Sequence, residues 1–233
     1  MEIKKITIII PAYNEKETIL EIISKVKAAD IGVLSKEIIV VDDGSTDGTR
    51  DILRDIPGIQ VVLHNNNCGK GGAVKTGFHN ATGDVLIIQD ADLEYDPAEY
   101  SLLLEPILKN KAEVVYGSRF VSSKPRRILL FHHYLANRFL TFLSNLFTNL
   151  NLSDMETCYK VFSNNIYKQL EPKLVSRRFG IEPELTARVA RLKAKVYEVG
   201  ISYHGRNYEE GKKINWRDGI AAIWHIIRFN VFN

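Results

Sequence analysis

The sequence predicts an α/β protein: a mainly parallel β-sheet with helices packed on both faces. Three observations carry that expectation. Short β-branched runs recur through the first half, and stretches with three- and four-residue apolar spacing separate them. The runs are also continuously apolar rather than alternating, as strands covered on both faces require.

Taken in order, ITIIIP (6–11) is a buried strand closed by Pro11, and EKETILEIISKVKAA places Ile19, Ile22, Ile23 and Val26 on one helical face. KEIIVVDD is a second strand, and STDGTRDILRDI suits a helix capped by Ser45 or Thr46. IQVVLH is the third strand, KGGAVKTGFHNA a helix start, and DVLIIQD the fourth strand. PAEYSLLLEPILKN reads as a helix with Pro97 in its first turn, followed by the strand AEVVYGS. The second half is less regular. It offers a helix over about 181–192 in RRFGIEPELTARVARL, a strand in KVYEVGISY and an amphipathic terminal helix in NWRDGIAAIWHIIRF. No linker separates these parts, so residues 1–233 are read as one domain, with a nucleotide-side half (1–120) and an acceptor-side half (121–233).

Composition narrows the class. The 233 residues are 45% hydrophobic and 25% charged, enough for a sizeable core and too apolar for a disordered chain. A net charge of +3 makes no case for nucleic acid. Cys68 and Cys158 stand far apart without metal-like spacing, so a reducing, cytoplasmic setting is the expectation. The first apolar run is shorter than the ~7–15 residues of a signal core. The stretch 128–152 is interrupted by His132, His133, Asn137 and Arg138, and falls short of the ~20 apolar residues of a membrane span.

In sheets of this kind ligands bind outside the carboxyl ends of the strands. Glu15, Asp42 and Asp43, Asn65 to Asn67, and Asp90 and Asp92 all fall just past strand ends, which implies one shared pocket. QDADLEYDP is its most acidic part, with Asp90, Asp92, Glu94 and Asp96 in quick succession. Carboxylates so close call for a cation. A hard dication, Mg²⁺ or Mn²⁺, held by one or two carboxylates and the phosphates of a diphosphate would meet that need. Asp96, before Pro97, is better read as a helix entry. In NNNCGKGGAVKTG neither a phosphate-loop nor a dinucleotide fingerprint is satisfied, because Lys70 precedes Gly71 and Lys75-Thr76 follows Val74. What remains is a basic turn at a helix start, either assisting phosphates or capping the helix.

IPAYNE, VVDDGSTDGT, NNNCGKGGAVKTG, GDVLIIQDADLEYDP and VYGSRF occur in the order, and at roughly the spacing, of family 2 glycosyltransferases. Within them the chain most resembles the polyprenyl-phosphate sugar transferases of the dolichol-phosphate mannose synthase type. The similarity is strong over about residues 6–120 and looser through DMETCYKVF, FGIEPEL and YHGRNYEEGKKINWRDG. It implies a GT-A fold, a nucleoside-diphosphate sugar donor, a divalent metal and inversion at the anomeric carbon. On the matching positions it places Pro11, Tyr13, Glu15, Asp42, Asp90 and Lys70 around the donor. Asp90, Asp92 and Glu94 are placed on the metal; Glu94 stands where close relatives often carry Gln. Asp92, Asp154 and Arg206 are the expected catalytic set, with Arg119 and Arg127 on the acceptor phosphate.

The acceptor decides what the site must do. A phosphate monoester is already nucleophilic at neutral pH, whereas a sugar hydroxyl wants a carboxylate base. Asp154 matches the acidic position near the acceptor, either orienting the nucleophile or acting as base, with Glu156 its competitor. Arg119 and Arg206 follow strand ends, where a guanidinium can grip phosphate with two donors. Lys124, Arg126, Lys212 and Lys213 extend the basic surface. Residues 126–150 combine Arg126 and Arg127 with leucines and phenylalanines, fitting either an interfacial helix or an ordinary core helix pair. The sequence-based expectation is therefore a peripheral enzyme at the cytoplasmic membrane face that moves a hexose from a UDP- or GDP-sugar to a polyprenyl phosphate, with oligomerisation left open. A family 2 transferase acting on a glycan hydroxyl, or a non-catalytic nucleotide-sugar-binding subunit, are the alternatives.

Overall fold

The computed structural model describes residues 3–121, 127–128, 130–206 and 216–232, without the side chains of Trp216 and Arg217. Lys124, Arg126, Lys212 and Lys213 lie outside that set. The chain alternates β1 (Lys5–Ala12), α1 (Ile19–Ala28), β2 (Ser35–Asp42), α2 (Thr49–Arg54), β3 (Gln60–Leu63), α3 (Lys70–Asn80) and β4 (Val85–Ile88). It continues with a 3₁₀ turn at Pro97–Glu99, α4 (Tyr100–Leu108), β5 (Val114–Ser118) and α5 (Phe131–Thr148). The last elements are β6 (Lys160–Ser163), α6 (Asn164–Leu170), α7 (Ile181–Arg191), β7 (Val196–Gly200) and α8 (Trp216–Val231).

The seven strands form one sheet in the order β3-β2-β1-β4-β6-β5-β7. Every pairing is parallel except those of β6, which runs antiparallel to β4 and β5. Register aligns the functional edge: Ala12 pairs with Asp42, and Ile9 with Ile88, so the exits of β1, β2 and β4 open together. Ile8, Ile9, Ile10, Val40, Val41, Val85, Leu86 and Ile87 are fully buried, each worth roughly 1.5–3 kcal/mol of burial. α1 buries the four predicted apolar residues. α3 packs flat on β1 through Gly77, where an added Cβ would meet the Ile9 side chain at 2.3 Å.

One expectation is corrected. The second helix begins at Thr49, not near Ser45. Ser45 Oγ instead accepts from the Asn14 N–H (3.0 Å), and Asp47 accepts from the Thr49 N–H (3.0 Å). Asp47 therefore shapes the turn while Ser45 ties it to the loop after β1. β6 and α6 carry no clear sequence signal, because KVFS is short and opens with a lysine. Asp96 does cap the 3₁₀ turn, accepting from the Ala98 N–H at 3.0 Å.

α5 buries only Leu140, Thr141 and Ser144. With Met155 and with Ala222 and Ile226 of α8, Leu140 forms a small cluster apart from the main core. Phe131, Leu135, Phe139, Phe142 and Leu146 follow helical spacing along the opposite, exposed face. Among the described residues, no helix is long and apolar enough to cross a membrane.

Candidate active site

Loops after the parallel strands build the pocket wall. After β1, Asn14 takes a positive φ of 53° and its side chain accepts from the Thr46 N–H (2.9 Å), joining the first two loops. Pro11 ends the buried part of β1 and Tyr13 is exposed. The Glu15 N–H donates to Thr49 Oγ1 at 3.0 Å, and its carboxylate accepts from Thr18 Oγ1. Asp42 is wholly buried at the end of β2. Its Oδ2 accepts from Arg50 Nε and Nη2 at 2.9 and 2.7 Å, while its sheltered Oδ1 has no partner among the described residues. That oxygen is a ready acceptor for a polar N–H or O–H. Asp43 is saturated instead, accepting from the N–H groups of Cys68 and Gly69 and from His64.

Past β4 the acids gather. Leu93 takes φ 64°, a left-handed turn that a leucine rarely adopts, and it separates Asp92 from Glu94. The Asp92 carboxylate accepts from the Glu94 N–H (3.2 Å) and from Arg206 Nη2 (2.9 Å). Burial first, then the like charges of Asp90 and Glu94, lift Asp92 to about 7 even though Arg206 pulls the other way. Glu94 accepts from Tyr203 Oη (2.9 Å) and the Arg206 N–H (2.8 Å), and Arg206 Nη1 lies 3.9 Å from Glu15. Arg206 thus bridges the loops after β1 and β4.

Among the described residues, the oxygens of Asp90, Asp92 and Glu94 do not draw together within 4.8 Å; the set of three that does is Asp43, His64 and Cys68. Convergence of three carboxylates is not required of a magnesium or manganese site, which takes one or two plus phosphates and water. An all-oxygen donor set, with Asp92 crowded by Asp90 and Glu94, fits a hard dication held by Asp92 and a neighbouring acid.

Lys70 sits deeper than its turn suggested. Its Nζ pairs with Asp90 at 2.8 Å and Glu182 at 3.2 Å. Burial would lower its pKa, but Asp90 and then Cys158 and Glu182 hold it well above the usual lysine range. Glu182 also pairs with Lys160, which is wholly buried and donates to the Met155 and Thr157 carbonyls. The structure adds Gln89, Lys160 and Glu182 to the residues read from sequence. Gln89 is buried behind Asp90, where its Oε1 accepts from Tyr100 (2.7 Å) and Tyr159 (2.8 Å) and its amide donates to the Asp90 carbonyl (3.0 Å). A neutral glutamine at a strand end gives no sequence signal. A lysine inside an apolar run and a glutamate at a helix start do, once read as a pair.

Asp154 and Arg119, expected near the acceptor, are placed against each other. Arg119 Nε and Nη2 donate to the two Asp154 oxygens at 2.6 and 2.7 Å, and the Arg119 N–H adds a third bond at 3.0 Å. Asp154 is 0% and the Arg119 side chain 13% exposed, with Arg119 also over the Tyr203 ring at 5.2 Å. In this arrangement Asp154 presents no open oxygen to a nucleophile. The Glu156 Oε1 is likewise sheltered from solvent but lacks a partner among the described residues. Burial, then Glu182, raises its carboxyl to about 7. Arg127 lies by the loop after β7, donating from its N–H to the Tyr203 carbonyl (3.0 Å) and from Nη1 to the Gly205 carbonyl (3.2 Å).

Residues 7–171 match the family model described as glycosyl transferase family 2. The chain belongs to glycosyl transferase family 2. This family 2 glycosyltransferase is 25% identical over 243 residues to a UDP-N-acetylglucosamine–dolichyl-phosphate N-acetylglucosaminyltransferase of Methanococcus voltae, with 96% of this chain and 95% of that one aligned. It is 38% identical over 120 residues to a dolichol-phosphate mannosyltransferase of Pyrococcus furiosus, covering 50% of this chain and 34% of that enzyme. Among solved structures it superposes on glucosyl-3-phosphoglycerate synthase of Mycobacterium tuberculosis, there in complex with Mn²⁺, UDP and glucosyl-3-phosphoglycerate. The TM-score is 0.73 at 20% identity, over 97% of this chain and 80% of the other. The fold of this glycosyltransferase is therefore GT-A.

Proposed function

We propose that this glycosyltransferase moves a hexose, with inversion, from a UDP- or GDP-sugar to a polyprenyl phosphate at the cytoplasmic membrane face, using Mg²⁺ or Mn²⁺. The observation that carries the reading is the crowding of negative charge on Asp92, beside an arginine that can move to a diphosphate. A bound dication would screen and polarise the diphosphate. Asp42 would accept from the nucleoside, next to Pro11, Tyr13 and Glu15. Lys70 and Arg206 stand where charge grows as the bond from the anomeric carbon to the diphosphate oxygen breaks. The acceptor phosphate oxygen attacks the opposite face of that carbon, and the diphosphate leaves with the electron pair.

The relatives from M. voltae and P. furiosus, both named for dolichyl-phosphate chemistry, support a lipid phosphate acceptor. The charge of the membrane-side segment supports it too. Between Glu113 and Asp154 there is no acidic residue, while Arg119, Lys124, Arg126, Arg127 and Arg138 fall in the same interval. An acid-free, basic stretch with an exposed apolar helix face suits an anionic lipid surface. Glu156 favours one second reading: a carboxyl titrating near neutrality is the base a glycan hydroxyl would want.

Product chemistry separates the two. Incubation with labelled UDP- and GDP-sugars, Mn²⁺ and polyprenyl phosphate should yield an organic-soluble product cleaved by mild acid. An acid-stable product formed only with a glycan acceptor would replace the lipid reading. Flotation with anionic liposomes checks the membrane component, and failure to float with any vesicle would remove it.

A further inference from the structure

A cavity of about 500 Å³ lies between the loop before α7 and the pocket-facing side of α8. Its charged lining is Arg177, Arg178 and Arg228 with His225, against the single carboxylate of Asp218; Phe179 supplies apolar wall. On α8, Asp218, His225 and Arg228 follow helical spacing and so face one way. None of the three arginines has an acidic partner among the described residues, unlike Arg119, whose fork is filled by Asp154. His225 Nδ1 is sheltered and likewise has no partner among the described residues. Burial and then the charge of Arg228 lower its pKa, against the opposing charge of Glu184.

The loop is rigid where it must be. The N–H groups of Val175 and Ser176 donate to the Glu184 carboxylate at 3.0 and 2.7 Å. On its other side the Arg178 and Arg177 carbonyls accept from the N–H groups of Gly71 and Gly72 at 3.2 and 3.0 Å. A Cβ at Gly71 would stand 2.4 Å from the Ser176 carbonyl oxygen, so only glycine permits this approach. The backbone is fixed from both sides, while the Arg177 and Arg178 side chains are exposed and have no acidic partner among the described residues. The residue just before Gly71 is Lys70, which pairs with Asp90, so the cavity adjoins the donor site.

We infer that Arg177, Arg178, Arg228 and His225 form the pocket for the phosphate group of the acceptor. This rests on the transferase reading above and relocates the anion from Arg119, whose fork Asp154 fills, to a cavity lined by three arginines and a single carboxylate, Asp218. Guanidinium forks suit a phosphate monoester, and the apolar wall suits a hydrocarbon tail. On α8 that wall continues to the exposed Ile220 and Trp224. The same chemistry would hold a small phosphorylated acceptor, so the probes must tell the two apart.

The test titrates the full chain, with and without UDP and Mn²⁺, with a short-chain isoprenyl phosphate, 3-phosphoglycerate and inorganic phosphate. The Arg177→Gln/Arg178→Gln double variant and Arg228→Gln should each weaken phosphate-ligand binding about tenfold, or about 1.4 kcal/mol. The melting shift given by sugar nucleotide with Mn²⁺ should not change. Because backbone carbonyls, not these side chains, hold the loop, folding should be preserved, and Arg177→Lys/Arg178→Lys should recover part of the affinity. Tighter wild-type binding of isoprenyl phosphate than of 3-phosphoglycerate supports a lipid acceptor in this pocket, and the reverse order supports the pocket with a soluble acceptor. Unaltered affinity in both Gln variants, or no wild-type binding of any probe, overturns the inference. Transfer to isoprenyl phosphate with unaltered acceptor KM in both Gln variants would overturn the pocket and leave the transferase reading standing. Phosphate binding lost in the Gln variants, without transfer to any lipid by the wild type, would do the opposite.

Discussion

Asp154→Ala separates a structural from a catalytic carboxylate. In the native fold Asp154 is fully buried and receives three hydrogen bonds from Arg119 at 2.6, 2.7 and 3.0 Å. Removing it leaves the Arg119 guanidinium, which lies over the Tyr203 and Phe120 rings, without the carboxylate that accepts from its Nε and Nη2. Breaking one side of a buried pair costs about 3–5 kcal/mol, a large part of the roughly 5–15 kcal/mol stability of an ordinary domain. With a urea slope of about 2–3 kcal/mol per molar, the unfolding midpoint should fall by about 1–2.5 M. Asp154→Leu combined with Arg119→Met should recover most of that loss, because no charge is left stranded. The assay is urea unfolding by tryptophan fluorescence, alongside turnover per folded molecule at low temperature. A midpoint within about 0.3 M of wild type, below 1 kcal/mol on the same slope, with turnover down by orders of magnitude would refute the reasoning. Asp154 would then act on the acceptor and not on Arg119.

Three further outcomes are expected. Asp92→Ala should cut transfer at least about a hundredfold, as should chelation of the wild type, because the diphosphate charge goes unscreened. Its melting temperature should barely change, since relief of repulsion with Asp90 and Glu94 offsets the bond lost to Arg206; full turnover of either sample in chelator would remove the metal assignment. Gln89→Leu should destabilise by about 2–6 kcal/mol, measured by urea unfolding, because Tyr100 and Tyr159 lose their shared buried acceptor. It should also weaken donor binding, since Asp90 loses its support. For Glu37, burial alone would raise the carboxyl, but hydrogen bonds from Lys5, Thr7 and Thr82 hold it at about 2 against an ordinary 4.5. The folded value is depressed, so its contribution is present above about pH 4.5 and disappears as pH falls towards 2. Glu37→Gln should therefore melt lower than wild type at pH 7 and match it near pH 2; a gap that persists in acid would contradict this.

The parallel half of the fold was legible because its strands are long apolar runs between amphipathic helices, a pattern that leaves little freedom of assignment. β6 was not, since a four-residue strand that begins with Lys160 is explicable only through Glu182, a partner that folding supplies. The acidic edge was legible for a related reason: Asp42, Asp90, Asp92 and Glu94 fall at or just past strand ends, so topology brings them to one edge of the sheet. Residues joined across long sequence separations were misjudged or missed. Arg119 and Asp154 are each plausible ligands when read singly, yet they neutralise each other when folded. Gln89 carries no charge to draw notice, and Arg177 and Arg178 are exposed residues whose place on a cavity shared with α8 shows only in the fold.

The reversed strand β6 sets a rule for building hybrids from this enzyme. It comes from the part of the chain after residue 120 but lies hydrogen-bonded between β4 and β5 of the part before it. A cut near residue 120 would remove β6 and β7, leaving β4 with a raw edge and β5 with no paired neighbour, both open to aggregation. Hybrids with relatives therefore call for exchanging surface pieces, α5, the loop before α7 and α8, while leaving 160–163 with its native neighbours.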